Sequence, residues 1–260
     1  MSIQSHLNVL HQEHEFNETC ANEIFRVYQE KVEVKKEKNQ KVVIGLSGGS
    51  AVLPIYNILR TKLTKDDFKN IAWFLADDRY VPDDHEDSNQ KLCLDSLFVD
   101  LKEGEFDFRR PNTNTAHSVK ETQATYSETL KELTKEHGPA DLITIGMGPD
   151  GHTCSLFPSV VDEAFEENDL NDYTVHTVTD KFAVRERVSV NFRFLRHHVK
   201  EIILFISGES KLKLFKEMEL DYLANNGADK KFLKKWPVSI MLPKSNAKTI
   251  AYVKEPEVVE

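Results

Sequence analysis

Cysteine is scarce in this chain. Three occur in 260 residues, Cys20, Cys93 and Cys154, an odd number with no C-x-x-C spacing. Neither a disulfide framework nor a structural zinc site is expected, and a reducing compartment suits such a chain. Long apolar runs are missing too. Nothing approaches the roughly 20 residues needed to span a bilayer, and the opening "MSIQSHLNVLHQEHEF" is too polar and acidic for a signal peptide. Basic residues are in deficit, 34 against 43 acidic, for a formal net charge of −9. That balance argues against nucleic acid or an anionic membrane as the main partner, while leaving room for a local basic pocket that takes an anionic metabolite. Proline-, glycine- or serine-rich linkers, repeats and low-complexity segments are also absent. The expectation is a single cytoplasmic domain spanning residues 1–260.

What is present is an alternation of short apolar runs with helical patterns. An amphipathic helix is predicted over about 17–36. "KVVIGLS" (41–47) and "IAWFLADDR" (71–79) read as buried strands, and "DLITIGMG" (141–148) as a third. Helical patterns follow at "AVLPIYNILRTKL", at about 89–98 and, most clearly, at 118–137. Later, "VHTVT", "RVSVNF" and "EIILFISG" are strand-like, and "ESKLKLFKEMELDYLAN" is a helix. The chain closes with "VSIMLP" and "TIAYV". Continuous apolar strands alternating with helices indicate an α/β fold, a mostly parallel sheet with helices on both faces. Such sheets place their chemistry at the carboxyl ends of the strands.

Three loops fall at those ends. "SGGS" follows the first strand. Paired glycines before a helix expose successive backbone N–H groups to an anion, but they equally suit a plain tight turn. No G-K-[ST] follows, so a triphosphate loop is not indicated. In "DDRYVPDDHEDSN" an apolar strand ends abruptly at Asp77, Asp78 and Arg79. Arg79 could fork onto phosphate oxygens, although a lone Asp-Arg pair is more often a surface ion pair. The acids lack the glycine and spacing of a calcium loop, and Ser88 reads as a helix N-cap.

The third loop, "GMGPDGHTCSLFP" (146–158), contains G-x-G-x-x-G. A dinucleotide cradle needs a full helix after the third glycine, and Pro158 leaves no room for one. Its His152 has a different rationale. A histidine on a glycine-flanked loop at a strand end can meet substrate, titrates near neutrality, and can be oriented by a neighbouring carboxylate such as Asp150. His137, His197 and His198 read as surface residues instead. Cys154, in an apolar setting with no assigned base, reads as a buried structural thiol.

In this order and spacing, "LSGGS", "DDRYVPDDHEDSN" and "GMGPDGHTCSLFP" resemble the signature blocks of 6-phosphogluconolactonases, with further agreement at "RVSVNF" and "SGESK". The resemblance covers about residues 40 to 253. It implies a Rossmann-like α/β fold of the sugar-phosphate isomerase type, needing neither metal nor cofactor. It also implies hydrolysis of 6-phosphoglucono-δ-lactone in the oxidative pentose phosphate pathway. By resemblance, His152 matches the catalytic histidine and Asp150 its acidic neighbour. Ser47, Gly48, Gly49, Arg79 and Lys211 match positions lining the sugar-phosphate site, and Arg187 matches a family arginine. The chain departs from the pattern at "SGGSAV" where S-G-G-S-T-P is usual, at Asp78 where glutamate is usual, and at "KFAVRERVSV" where proline-rich sequence is usual. The last departure leaves the alignment of Arg185 against Arg187 open.

These residues suggest that His152 takes a proton from water attacking the lactone carbonyl and returns it to the ring oxygen. The expected partner is then a small sugar-phosphate lactone, acted on by a monomer. A glucosamine-6-phosphate deaminase is the nearest rival, but that family resembles "DGHIAFNEP" and carries "DEY" where Arg79 stands. A non-catalytic sugar-phosphate sensor would have no need of Asp150 and His152, and a nicotinamide oxidoreductase fits least.

Overall fold

The computed structural model describes residues 6–113, 118–158, 172–225, 230–243 and 246–254. In chain order the elements begin with β1 (His6–Leu10), α1 (Glu13–Glu37), β2 (Val42–Leu46), α2 (Leu53–Lys62), α3 (Lys65–Lys69), β3 (Ile71–Leu75) and β4 (Asp77–Arg79). There follow α4 (Asn89–Ser96), β5 (Asp107–Arg109), α5 (Val119–His137), β6 (Ala140–Gly146), β7 (Thr174–Val178) and β8 (Glu186–Val190). The chain then forms α6 (Phe192–His197), β9 (Val199–Ser207), α7 (Glu209–Ala224), α8 (Lys230–Lys235) and β10 (Ala247–Tyr252).

Seven strands form one sheet in the order β1-β10-β9-β6-β2-β3-β5, every neighbouring pair parallel. Side-chain alternation divides its core into two layers. Val43, Phe74, Ile143, Ile202 and Leu204 pack on one face, against Tyr126, Leu130 and Leu133 of α5 and Phe215 of α7. Their neighbours Val42, Ile44, Trp73, Leu142 and Ile203 pack on the other, against α1 and α2. Covering both faces requires strands that are apolar at successive positions, which is why they read as continuous runs. Among the described residues, no helix is long and apolar enough to cross a membrane.

The expected parallel α/β sheet is present, but two segments differ from the sequence reading. "IAWFLADDR" is not one strand. The chain leaves the main sheet at Ala76, whose N–H donates to Leu46 O (2.8 Å) and whose carbonyl accepts from Val190 N (2.8 Å). Beyond it, β4 joins β8 and β7 in a separate antiparallel three-stranded sheet. "VSIMLP" is no strand either: Pro237–Met241 forms a 3-10 turn, with Val238 N donating to Gly151 O (3.0 Å).

Candidate active site

The strand order reverses direction between β2 and β6, so the loops after these two strands diverge and open a crevice at their carboxyl ends. A cleft of about 430 Å³ lies there. Of the predicted site residues, Ser47, Gly48, Gly49, Arg79, His152, Arg187 and Lys211 all line it. Asp150 stands behind the imidazole.

The 146–158 loop folds tightly, without a helix. Gly148 N donates to His152 O (2.9 Å), and Thr153 Oγ1 donates to Gly146 O (2.9 Å). Gly148 is required here, because a Cβ would collide with the His152 ring. The imidazole is pinned further by Phe157 and Phe182, with ring centroids 4.6 and 5.8 Å away. Asp150 Oδ1 sits 2.5 Å from His152 Nδ1 and also accepts from His152 N (3.2 Å). Its other oxygen is ion-paired with Lys181. Burial alone would raise the Asp150 carboxyl, but the hydrogen bonds from His152 and Lys181 outweigh it and hold the group well below the usual carboxylate range. With Nδ1 engaged by an anion, Nε2 is the nitrogen available to accept a proton.

The opposite wall is cationic. β4 and β8 pair so that Arg79 and Arg187 are direct cross-strand partners. Like charges in that position repel unless an anion joins them. Arg187 is buried at 6% exposure; burial and the neighbouring Arg79 both push its proton affinity down, and its Nε finds no acceptor among the described residues. Its Nη2 donates to Val184 O (2.9 Å), and Arg79 Nη1 donates to Asp87 O (2.6 Å). Lys211, in the first turn of α7, is likewise shifted down by burial. None of the three is ion-paired with a carboxylate among the described residues. A cationic wall inside a molecule of net charge −9 is the consequence.

Sequence reasoning left other contributors unnamed. Asn89 opens α4 and packs on Gly48, where a Cβ would strike its amide. Its N–H donates to Asp78 Oδ1 (2.7 Å) and its Nδ2 to Asp77 O (2.9 Å), while its buried Oδ1 has no partner among the described residues. Ser155 Oγ donates to Asp77 Oδ2 (2.6 Å), joining the histidine loop to β4. Ser88 is the N-cap of α4, as its position before the helical pattern suggested. Lys181 and Phe182 lie in an ordinary-looking stretch that no local signal marks.

Four readings are refined. Arg185 is 60% exposed and paired with Asp180, so Arg187 alone of these two faces the cleft. Cys154 is half-buried and lines the cleft rather than lying in the core, and burial raises its thiol well above its ordinary range. His137 and His198 are also half-buried. The first is an acceptor for Lys41 N (3.4 Å), and the second packs on Tyr173 with centroids 4.3 Å apart.

Comparison with known proteins agrees with this picture. The family model described as glucosamine-6-phosphate isomerases/6-phosphogluconolactonase matches residues 13–250. A "Probable 6-phosphogluconolactonase" of Dictyostelium discoideum is 39% identical over 178 residues, which cover 68% of this chain and 72% of that one. The 6-phosphogluconolactonase of Thermotoga maritima is 29% identical over 198 residues, covering 74% and 83% respectively. Among solved structures, 6-phosphogluconolactonase from Plasmodium vivax aligns with a TM-score of 0.81 at 25% identity, over 99% of this chain and 92% of that one. The chain belongs to the glucosamine-6-phosphate isomerase/6-phosphogluconolactonase family.

Proposed function

We propose that this protein hydrolyses 6-phospho-D-glucono-1,5-lactone to 6-phospho-D-gluconate, the step of the oxidative pentose phosphate pathway for which its relatives are named, as a monomer without metal or cofactor. The observation that carries the reading is the juxtaposition in one cleft of a carboxylate-backed imidazole and three cations without acidic partners among the described residues. The phosphate settles between Arg79, Arg187 and Lys211 and on the backbone N–H groups of Gly48 and Gly49, which uses remote binding energy to hold the lactone carbonyl near His152. The Ser47 N–H is held by Thr144 Oγ1 (3.1 Å).

His152 Nε2 then removes a proton from water as the water oxygen bonds to C1. Asp150 accepts from Nδ1–H, fixing the tautomer and stabilising the imidazolium. As the C1–ring oxygen bond breaks, the imidazolium returns a proton to that oxygen, so the acid forms without a covalent enzyme intermediate. General base catalysis of this kind contributes roughly 10²–10⁴-fold.

The test is a lactonase assay from which spontaneous hydrolysis is subtracted, run on the wild type and on His152→Ala. A loss of roughly 10²–10⁴-fold in kcat with KM little changed is expected; turnover near the wild-type rate removes His152 from the base role. Glucosamine 6-phosphate offered in parallel should give no product.

A further inference from the structure

The hairpin between β7 and β8 reaches the histidine with two consecutive residues. Its tip is tied by Thr179 N donating to Arg185 O (3.1 Å), by Lys181 N donating to Thr179 Oγ1 (3.2 Å), and by the Asp180–Arg185 ion pair. From this tip Lys181 pairs with Asp150, on the oxygen that His152 does not use. Phe182 stands edge-on to the imidazole (76°) and lies under the Arg187 guanidinium, 5.5 Å from its ring centroid. Asp150 is only 19% exposed, whereas Lys181 is 49% exposed. The lysine thus closes the outer side of the carboxylate and leaves the cleft itself open.

We propose that Lys181 is a positioning residue that clamps Asp150 against His152 and, by its charge, opposes the pull of that carboxylate on the imidazole. The proposal rests on the lactonase reading. Asp150 alone would favour the imidazolium, and a second cation on the same carboxylate offsets part of that pull. The other charged groups lining the cleft are Asp77 and Arg79 from β4, Arg187 from β8 and Lys211 from α7. All remain when Lys181 is replaced, so a change on substitution reports the clamp. The clamp also holds one rotamer of Asp150, which matters because general base catalysis depends on the imidazole's direction.

The experiment compares Lys181→Met and Lys181→Arg with the wild type. In Lys181→Met the acid limb of the kcat/KM–pH profile should move up by roughly half a pH unit. Its kcat should fall about fivefold, the effect of one lost hydrogen bond, with KM for the phosphorylated lactone unchanged. Lys181→Arg should restore both limb and rate. An unmoved limb with wild-type kcat overturns the proposal, and so does a raised KM with an unmoved limb, which would make Lys181 a substrate ligand. Proton NMR titration of the His152 ring, identified by its loss in His152→Gln, should show the same upward displacement in Lys181→Met. That readout needs no turnover. If the wild type has no lactonase activity, the proposed function fails by itself, while a flat NMR comparison condemns the clamp alone.

Discussion

At the scale of single residues, the site depends on close approach as much as on charge. Gly148 lies against the face of the imidazole with no space for a methyl group. In Gly148→Ala the ring must swing away from its bond to Asp150. A misplacement of this size costs about 10²-fold in rate, so kcat should fall by that order while circular dichroism stays native. Wild-type kcat in this variant would mean that the ring's position does not matter. Arg79 differs in the proposed function, which gives it the phosphate and not the reacting carbon. Arg79→Ala should raise KM by roughly ten- to hundredfold, the value of one charge-assisted hydrogen bond, and leave kcat within a small factor. A kcat defect of the His152→Ala type would put Arg79 in the chemistry instead.

At the scale of elements, Asp78 joins β4 to α4. Its carboxyl is fully buried and accepts N–H groups from Arg79, Asn89 and Gln90, two of which are free donors of the helix N-terminus. Burial nevertheless outweighs those donors and pushes the group up to about 6, from 3.8. The native state therefore holds this proton more tightly than the unfolded chain. The associated stability is fully present below about pH 4 and is lost as pH rises through about 6. Between pH 7 and pH 5 the wild type should gain about 1 kcal/mol from this group. Asp78→Asn, neutral throughout, should lack the gain although it is less stable at both pH values. Denaturant unfolding of both proteins at the two pH values measures the difference, and equal gains would remove Asp78 as the source. Asp150 does not blur the window, because its lowered carboxyl loses its contribution only as pH falls below about 4. These elements also show where the sequence was legible. β2, β3, β6 and β9 could be read directly, since strands buried on both faces must be apolar throughout, and the loops after β2 and β6 carried Ser47, Gly48, Gly49 and His152 of the cleft. The small sheet of β4, β8 and β7 was not readable, because nothing local tells a strand that Ala76 ends its membership of one sheet and begins another. For the same reason the sequence did not bring Lys181 to Asp150: that contact exists only once a hairpin in the second sheet folds over a loop of the first.

At the scale of the molecule, the cleft draws on nearly every part of the chain. Its walls come from the loops after β2 and β6, from the end of β9, from β4 and β8 of the small sheet, and from the start of α7. The two core layers share the strands of one sheet, so neither can melt and leave the other its support. A single cooperative unfolding transition is expected. An anion bound in the cleft joins these parts and has no counterpart site in the unfolded chain. Its binding energy must therefore appear as global stability, about 2.7 kcal/mol at a hundred times its Kd. For a chain of this size that is a rise of several degrees in Tm. The product, 6-phosphogluconate, should give this shift and gluconate should not, because without a phosphate the three cations remain unsatisfied. Arg79→Ala should reduce the shift from 6-phosphogluconate toward zero. If gluconate stabilised the protein as well as its phosphate ester does, the cationic wall formed by Arg79, Arg187 and Lys211 would not be the anchor of the substrate.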